Sequence, residues 1–134
     1  MEEKNIINKI PFIHLRNHSQ YSILKALPKI KDLVKKAKSF NMPYLALTDY
    51  NNMYGAIEFY KACIDNDIKP ILGAEIDIRS LSNSKKKYKL IFLAKNNEGY
   101  RSLMKLVSIA NLKDNKDPHI SFSDIKKILI MTLV

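Results

Sequence analysis

"MPYLALTDYNNMYGAIEFYKACIDNDIKPILGAEIDI", residues 42–78, is the stretch that decides the fold class. It opens with a continuous apolar run over residues 44–48, the signature of a strand covered on both faces in a parallel sheet. Asp49 to Asn52 then make a polar turn. Ala56, Ile57, Tyr60, Cys63 and Ile64 recur at helical spacing and predict one apolar helix stripe. A second strand follows over 70–78. Strand, turn, helix and strand in succession point to an α/β domain built on parallel strands.

The alternation extends in both directions. Residues 11–15 read as a short strand. Ile30, Leu33, Val34, Ala37 and Phe40 form a helical stripe, with Pro28 in the favoured first turn, and Asn41-Met42-Pro43 breaks it. Downstream, a polar loop over 79–87 ends in a solvated lysine run and leads to a further strand, "YKLIFLA", at 88–94. That loop is too short for a helical crossover and has no helical pattern, so a hairpin is predicted there. Asn96 or Asn97 is placed to cap a helix whose inner face is Tyr100, Leu103, Met104, Val107 and Ala110. Ser123 is placed to cap a short final helix. The apolar run "ILIMTLV" at 128–134 is unusual for a terminus, which is ordinarily polar. It fits either a strand seeking a partner or a chain cut within its fold, and an isolated chain with open strand edges is expected to be marginally stable or to associate.

Composition narrows the function classes. The 134 residues suffice for one domain with a core. Three glycines cannot build a glycine-rich phosphate loop of either common type. A lone cysteine, Cys63, rules out an internal disulfide and a thiolate zinc site, and fits a reducing compartment. The net charge of +10 would attract polyanions, but only three of the 23 basic residues are arginine. That balance reads as a composition bias rather than a selected nucleic-acid face. No apolar run approaches the roughly 20 residues needed to span a bilayer, and the start "MEEKNIINKIPF" has no signal-peptide core. A soluble cytoplasmic protein is the expectation.

In parallel α/β folds, functional groups gather beyond the C-terminal ends of the strands. The first predicted strand leads to Arg16, Asn17, His18, Ser19 and Gln20, with His14 just inside it. The strand at 44–48 leads to Thr48, Asp49, Tyr50, Asn51 and Asn52, and the strand at 70–78 carries Glu75 shortly after Gly73. Imidazole, carboxylate and amide at one mouth are what a metal site or hydrolytic cleft needs. Plainer roles also exist: His18 bonding its own turn, Asp49 capping the following helix, His119 simply exposed. Glu75, flanked by apolar residues, must face solvent or find a partner. His14 and His18 are four residues apart, which on a strand need not bring both to one ion.

Three stretches, "FIHLRNHSQYSIL" (12–24), residues 42–78 and "IFLAKNNEGYRSLMKLVSIANL" (91–112), together resemble the PHP (polymerase and histidinol phosphatase) domain that begins bacterial replicative DNA polymerase III alpha subunits. The resemblance runs through 11–112 in order and more weakly to 127. It implies a distorted (β/α)7 barrel, of which residues 1–134 would be one incomplete domain holding roughly the first four strands and three helices, with no second domain. Active members hydrolyse phosphoesters with a three-metal cluster. Their His-x-His is Arg16 and His18 here, an acidic ligand after Tyr-Ser-x-Leu is Lys25, and Thr-Asp-His ends in Tyr50. Only His18 and Glu75 keep ligand positions, while Arg16, Lys25 and Tyr50 are degraded ones, with His14 and Asp49 lining the cleft. Fixed cations at Arg16 and Lys25 would repel a divalent metal, so these residues are expected to neutralise Glu75 directly, with no cofactor. Zinc or manganese would be the metal if the site worked. The implied function is a scaffold and docking module in DNA replication, engaging the proofreading exonuclease and other replicase subunits. DNA would be reached only through the full-length polymerase, whose nucleotidyltransferase carboxylates lie in a palm domain beyond residue 134, so no catalytic residue is assigned. The rival readings are a stand-alone metal-dependent PHP phosphoesterase and a basic nucleic-acid-binding module.

Overall fold

The computed structural model describes residues 12–83 and 85–132. Among them are three strands, β1 (Tyr44–Leu47), β2 (Lys69–Arg79) and β3 (Lys87–Leu93). The helices are α1 (Ile30–Ser39), α2 (Ala56–Ile64), α3 (Asn97–Lys113) and α4 (Phe122–Thr132). The sheet order is β1-β2-β3, and it does not close into a barrel. β2 changes partner half-way along: Lys69 to Leu72 pair in parallel with β1, and Gly73 to Arg79 pair antiparallel with β3. Gly73 sits at the changeover because a Cβ there would lie 2.6 Å from the Phe92 carbonyl oxygen, a contact that backbone cannot relieve. The hairpin expected from the short 79–87 loop is therefore present.

Alternation along β2 divides its side chains. Ala74, Ile76 and Ile78 face α3 and α4, where Leu103, Leu106 and Ala110 of α3, Ile120 of the intervening segment and Ile128 of α4 complete one core. A second core joins α1, α2 and β1 through Ile30, Val34, Leu45, Leu47, Phe59, Cys63 and Ile68. The opposite face of β2 is left to Glu75 and Asp77, both buried.

Four details depart from the sequence reading. The strand predicted at 11–15 is not regular over its described residues: the chain runs beside β1, with Ala46 N bonding His14 O at 3.2 Å and Thr48 N bonding Asn17 O at 2.8 Å. The Asn17 side-chain amide donates to the Ala46 carbonyl at 2.9 Å, which removes the acceptor a ladder would use. In α2 the large Phe59 turns inward, so Ile57, Tyr60 and Ile64 are exposed instead of forming the inner stripe with Cys63. The final apolar run is helical through Thr132, not a strand. Its cap is Ser121 rather than Ser123: Ser121 Oγ accepts from Asp124 N at 3.3 Å, and Asp124 Oδ2 accepts from Ser121 N at 2.8 Å. At α3 the Asn96 side chain accepts from Gly99 N at 2.9 Å, the cap expected. α1 borrows its cap from a distant turn, since Gln20 Oε1 accepts from Ile30 N at 3.0 Å.

Candidate functional site

The site is organised around the polar face of β2. Glu75 is 2% exposed, so its charge requires partners. Arg16 supplies a two-pronged one, with Nη2 donating to Oε1 at 3.1 Å and Nε donating to Oε2 at 3.2 Å. His18 Nε2 lies 2.5 Å from Oε2. Burial pushes the Glu75 carboxyl up, but hydrogen bonds and charge from Arg16 and His18 outweigh it and hold the group below its ordinary value. With the carboxylate ionised, His18 Nε2 must carry the proton it donates. The strand itself is clamped at this point: Glu75 N donates to Asp49 O at 3.0 Å, and Asn51 N donates to Glu75 O at 2.8 Å.

Two residues along β2, Asp77 accepts from the Tyr50 hydroxyl and lies 3.5 Å from Lys87 Nζ. Burial, and then the bond to Asp77, drive the Tyr50 hydroxyl well above its ordinary range, so it remains a donor. Lys87 also pairs with Asp117, which ties the loop after α3 to the start of β3. Lys25 does not join Glu75, contrary to expectation. Its ammonium sits 3.9 Å from the centre of the Tyr50 ring, and that of Lys89 sits 4.9 Å from the same ring.

Asp49 is neither a helix cap nor a cleft-facing acid. It is buried, and it accepts from Ser19 N at 2.6 Å, Ser19 Oγ at 2.7 Å and Ser22 Oγ at 2.7 Å. This fixes the 19–22 turn, and Tyr50 N closes the knot on Ser22 Oγ at 2.9 Å. His14 lies elsewhere: it is exposed, edge-on to Phe12, and lines a cavity with Leu33, Phe40 and Met42. His119 is half-buried, its Nδ1 bonded to Asp117 O at 2.7 Å. Sequence reading placed Ser19 at the mouth and missed Asp77, Ser22 and Lys87. The signal for Asp77 was present, since Glu75-x-Asp77 on a strand puts two acids on one face.

A PHP domain model matches residues 14–132. The chain belongs to the PHP domain family. Its sequence is 45% identical over 125 residues to the DNA polymerase III alpha subunit of Borreliella burgdorferi, covering 87% of this chain and 11% of that protein. It is 43% identical over 131 residues to the same subunit of Buchnera aphidicola, covering 93% of this chain and 11% of that protein. The match is therefore to the PHP domain of bacterial DNA polymerase III alpha subunits, and the chain spans about a tenth of their length. Among solved structures, an amidohydrolase from Chromobacterium violaceum superposes with a TM-score of 0.54 at 17% identity, over 78% of this chain and 36% of that one, which supports the fold alone.

Divalent metal, the group this family implies, does not fit the residues present. Both Glu75 oxygens are committed to Arg16 and His18, and a fixed guanidinium stands where a cation would have to sit. Among the described residues no three His, Cys, Asp or Glu side chains are gathered to hold an ion. The mouth thus has an inverted polarity. Its acids are internal and paired, and Arg16, Lys25 and Lys89 are exposed on its surface. No helix among the described residues is long and apolar enough to cross a membrane.

Proposed function

We propose that this chain serves DNA replication as the PHP part of a replicative polymerase alpha subunit, a scaffold that docks partner proteins and performs no chemistry itself. The observation that carries this reading is the neutralisation of Glu75 by Arg16 and His18, side chains of the chain itself. In this reading His18 and Glu75 are relics of a ligand set, and Arg16, Lys25 and Tyr50 occupy the positions where ligands have gone. Residues 1–134 would be the opening part of a distorted (β/α)7 barrel, working in the cytoplasm with the proofreading exonuclease and other replicase subunits. DNA would be reached only through the longer polymerase. The test is co-expression with the exonuclease subunit of the same bacterium followed by size-exclusion chromatography. Co-elution supports the proposal, and its absence from both the chain and the corresponding full-length subunit defeats the docking role. The phosphoesterase reading draws on the persistence of His18 and Glu75. Stoichiometric manganese after dialysis, with hydrolysis of a chromogenic phosphodiester, would favour it instead.

A further inference from the structure

The turn that begins at Ser19 carries a feature the clamp on Glu75 does not require. Ile23, Leu24 and Leu27 are 75%, 101% and 92% exposed, three large apolar side chains within five residues. Leu24 also has φ of 62°, the left-handed region that leucine avoids. Nothing loose accounts for this. Lys25 N and Ala26 N both bond Ser22 O, at 2.9 and 3.0 Å, and Ser22 is itself fixed on buried Asp49. On the other side Gln20 N bonds Pro28 O at 2.9 Å. The turn is a preorganised apolar knob, strained at its tip and fully solvated.

Its surroundings indicate what would cover it. Ile23 also lines a cavity of about 410 Å³ with Tyr21, Tyr50, Tyr54, Asn115 and Lys116. Among the described residues neither Lys25 nor Lys116 makes a salt bridge to a carboxylate. The chain's net charge of +10 opposes pairing of this surface with a second copy. We infer that the Ile23–Leu27 knob and the adjoining cavity dock an acidic amphipathic segment of another protein. Its large apolar side chains pack on Ile23, Leu24 and Leu27, and its carboxylates reach Lys25 and Lys116. The inference rests on the docking reading and names the surface and partner chemistry for it.

Leu24→Asn separates this role from a structural one. Asparagine tolerates the left-handed backbone, so the variant should melt higher, by about 3 °C or more. A fluorescein-labelled synthetic peptide of leucine, phenylalanine and glutamate at helical spacing is the probe, followed by anisotropy against the full chain. Wild-type protein should bind it with micromolar affinity, and Leu24→Asn should bind about tenfold more weakly despite its higher melting temperature. Phe40→Ser, at the far end of α1, should bind like wild type, and the same peptide with lysine for glutamate should not bind. Equal affinity of wild type and Leu24→Asn, or displacement of the peptide by oligothymidylate, overturns the inference. If the exonuclease subunit binds wild type and Leu24→Asn equally, docking stands and this surface is wrong. If wild type binds neither subunit nor peptide, both readings fall.

Discussion

Replacing Glu75 by glutamine removes the charge at the centre of the site while keeping its shape. Two effects oppose each other. Removing a buried charge relieves desolvation, which favours the variant. Against that, the amide nitrogen cannot accept: with the glutamine oxygen in the Oε2 position the bonds from Arg16 Nε and His18 persist without the carboxylate charge, and the bond from Arg16 Nη2 is lost. Charged bonds contribute about 1.5–3 kcal/mol each and neutral ones about 1 kcal/mol. The carboxyl lies below its ordinary value despite burial, so attraction outweighs desolvation. Arg16 is 58% exposed, however, and solvent screens its share. A net loss of about 1 kcal/mol is expected for Glu75→Gln, which at a urea m-value of about 2 kcal/mol/M moves the midpoint down by about 0.5 M.

The pH dependence gives the sharper test. A depressed carboxyl contributes stability that is fully present above its unfolded value, near 4.5, and is lost as pH falls through its lower folded value. Wild type and Glu75→Gln should therefore differ most at neutral pH and converge in acid. Arg16→Met reverses the sign. Burial, the largest influence on the carboxyl, is then opposed by His18 alone, so the carboxyl rises and this group makes the variant more stable as pH drops from 7 towards 5. Its neutral-pH loss should also exceed that of Glu75→Gln, because a buried carboxylate is left with His18 as its one side-chain partner rather than removed. Urea titrations of the three proteins between pH 3 and 7 decide the matter. A Glu75→Gln protein more stable than wild type at pH 7, or an Arg16→Met protein with no gain towards pH 5, would refute the reasoning.

Cys63 is fully buried, and burial pushes its thiol up to about 12, so iodoacetamide should modify it only at the rate of global unfolding. Modification of folded protein within minutes at pH 8 would contradict this. Asp124 is driven up by burial but held down at about 2 by Lys113 and Ser121, against 3.8 unfolded. That depression corresponds to about 2 kcal/mol, present above about pH 4 and lost as pH falls through about 2, so melting curves of wild type and Asp124→Asn should converge there. β3 has a sheet neighbour on one side only among the described residues, and Tyr88 and Leu90 are 58% and 43% exposed on it. In high salt, where the positive charge is screened, light scattering should show self-association, and the double variant Tyr88→Lys, Leu90→Lys should suppress it.

How much was legible follows from the range of the forces involved. The strand–helix–strand core of 42–78, the hairpin after β2 and the Asn96 cap depend on local periodicity or a single adjacent bond, and the sequence carries those directly. The inner face of α2 does not work that way. Ile57 and Phe59 are both good core residues, and which one faces β1 is decided by packing against Ile30, Val34 and Leu45, supplied from elsewhere in the chain. The lost ladder at 12–17 turns on one side chain, Asn17, outcompeting a backbone donor. The Ser121-x-x-Asp124 cap was readable and was passed over for the next serine. The pairing of Lys25 with Glu75 follows from the ligand position the resemblance implies and from opposite charge, but the ammonium lies over the Tyr50 ring, where it stays in water.

The ion pairs at the mouth are coupled, and this explains how the fold accommodates two buried acids on one strand. Glu75 and Asp77 sit on the face of β2 opposite the apolar core, and both are nearly sealed from solvent. Each needs a counter-charge or donor regardless of whether any metal is involved. Three separate loops supply them: residues 16–18 reach Glu75, Tyr50 reaches Asp77, and Asp117 holds Lys87 beside Asp77. Without these partners two buried carboxylates would stand unpaired, a penalty comparable to the whole stability of a small domain. Arg16 and Lys87 therefore hold the loops in register from within the chain. A mouth held in this way stays ordered while the 19–27 turn, anchored on the same Asp49 knot, presents its apolar tip to solvent.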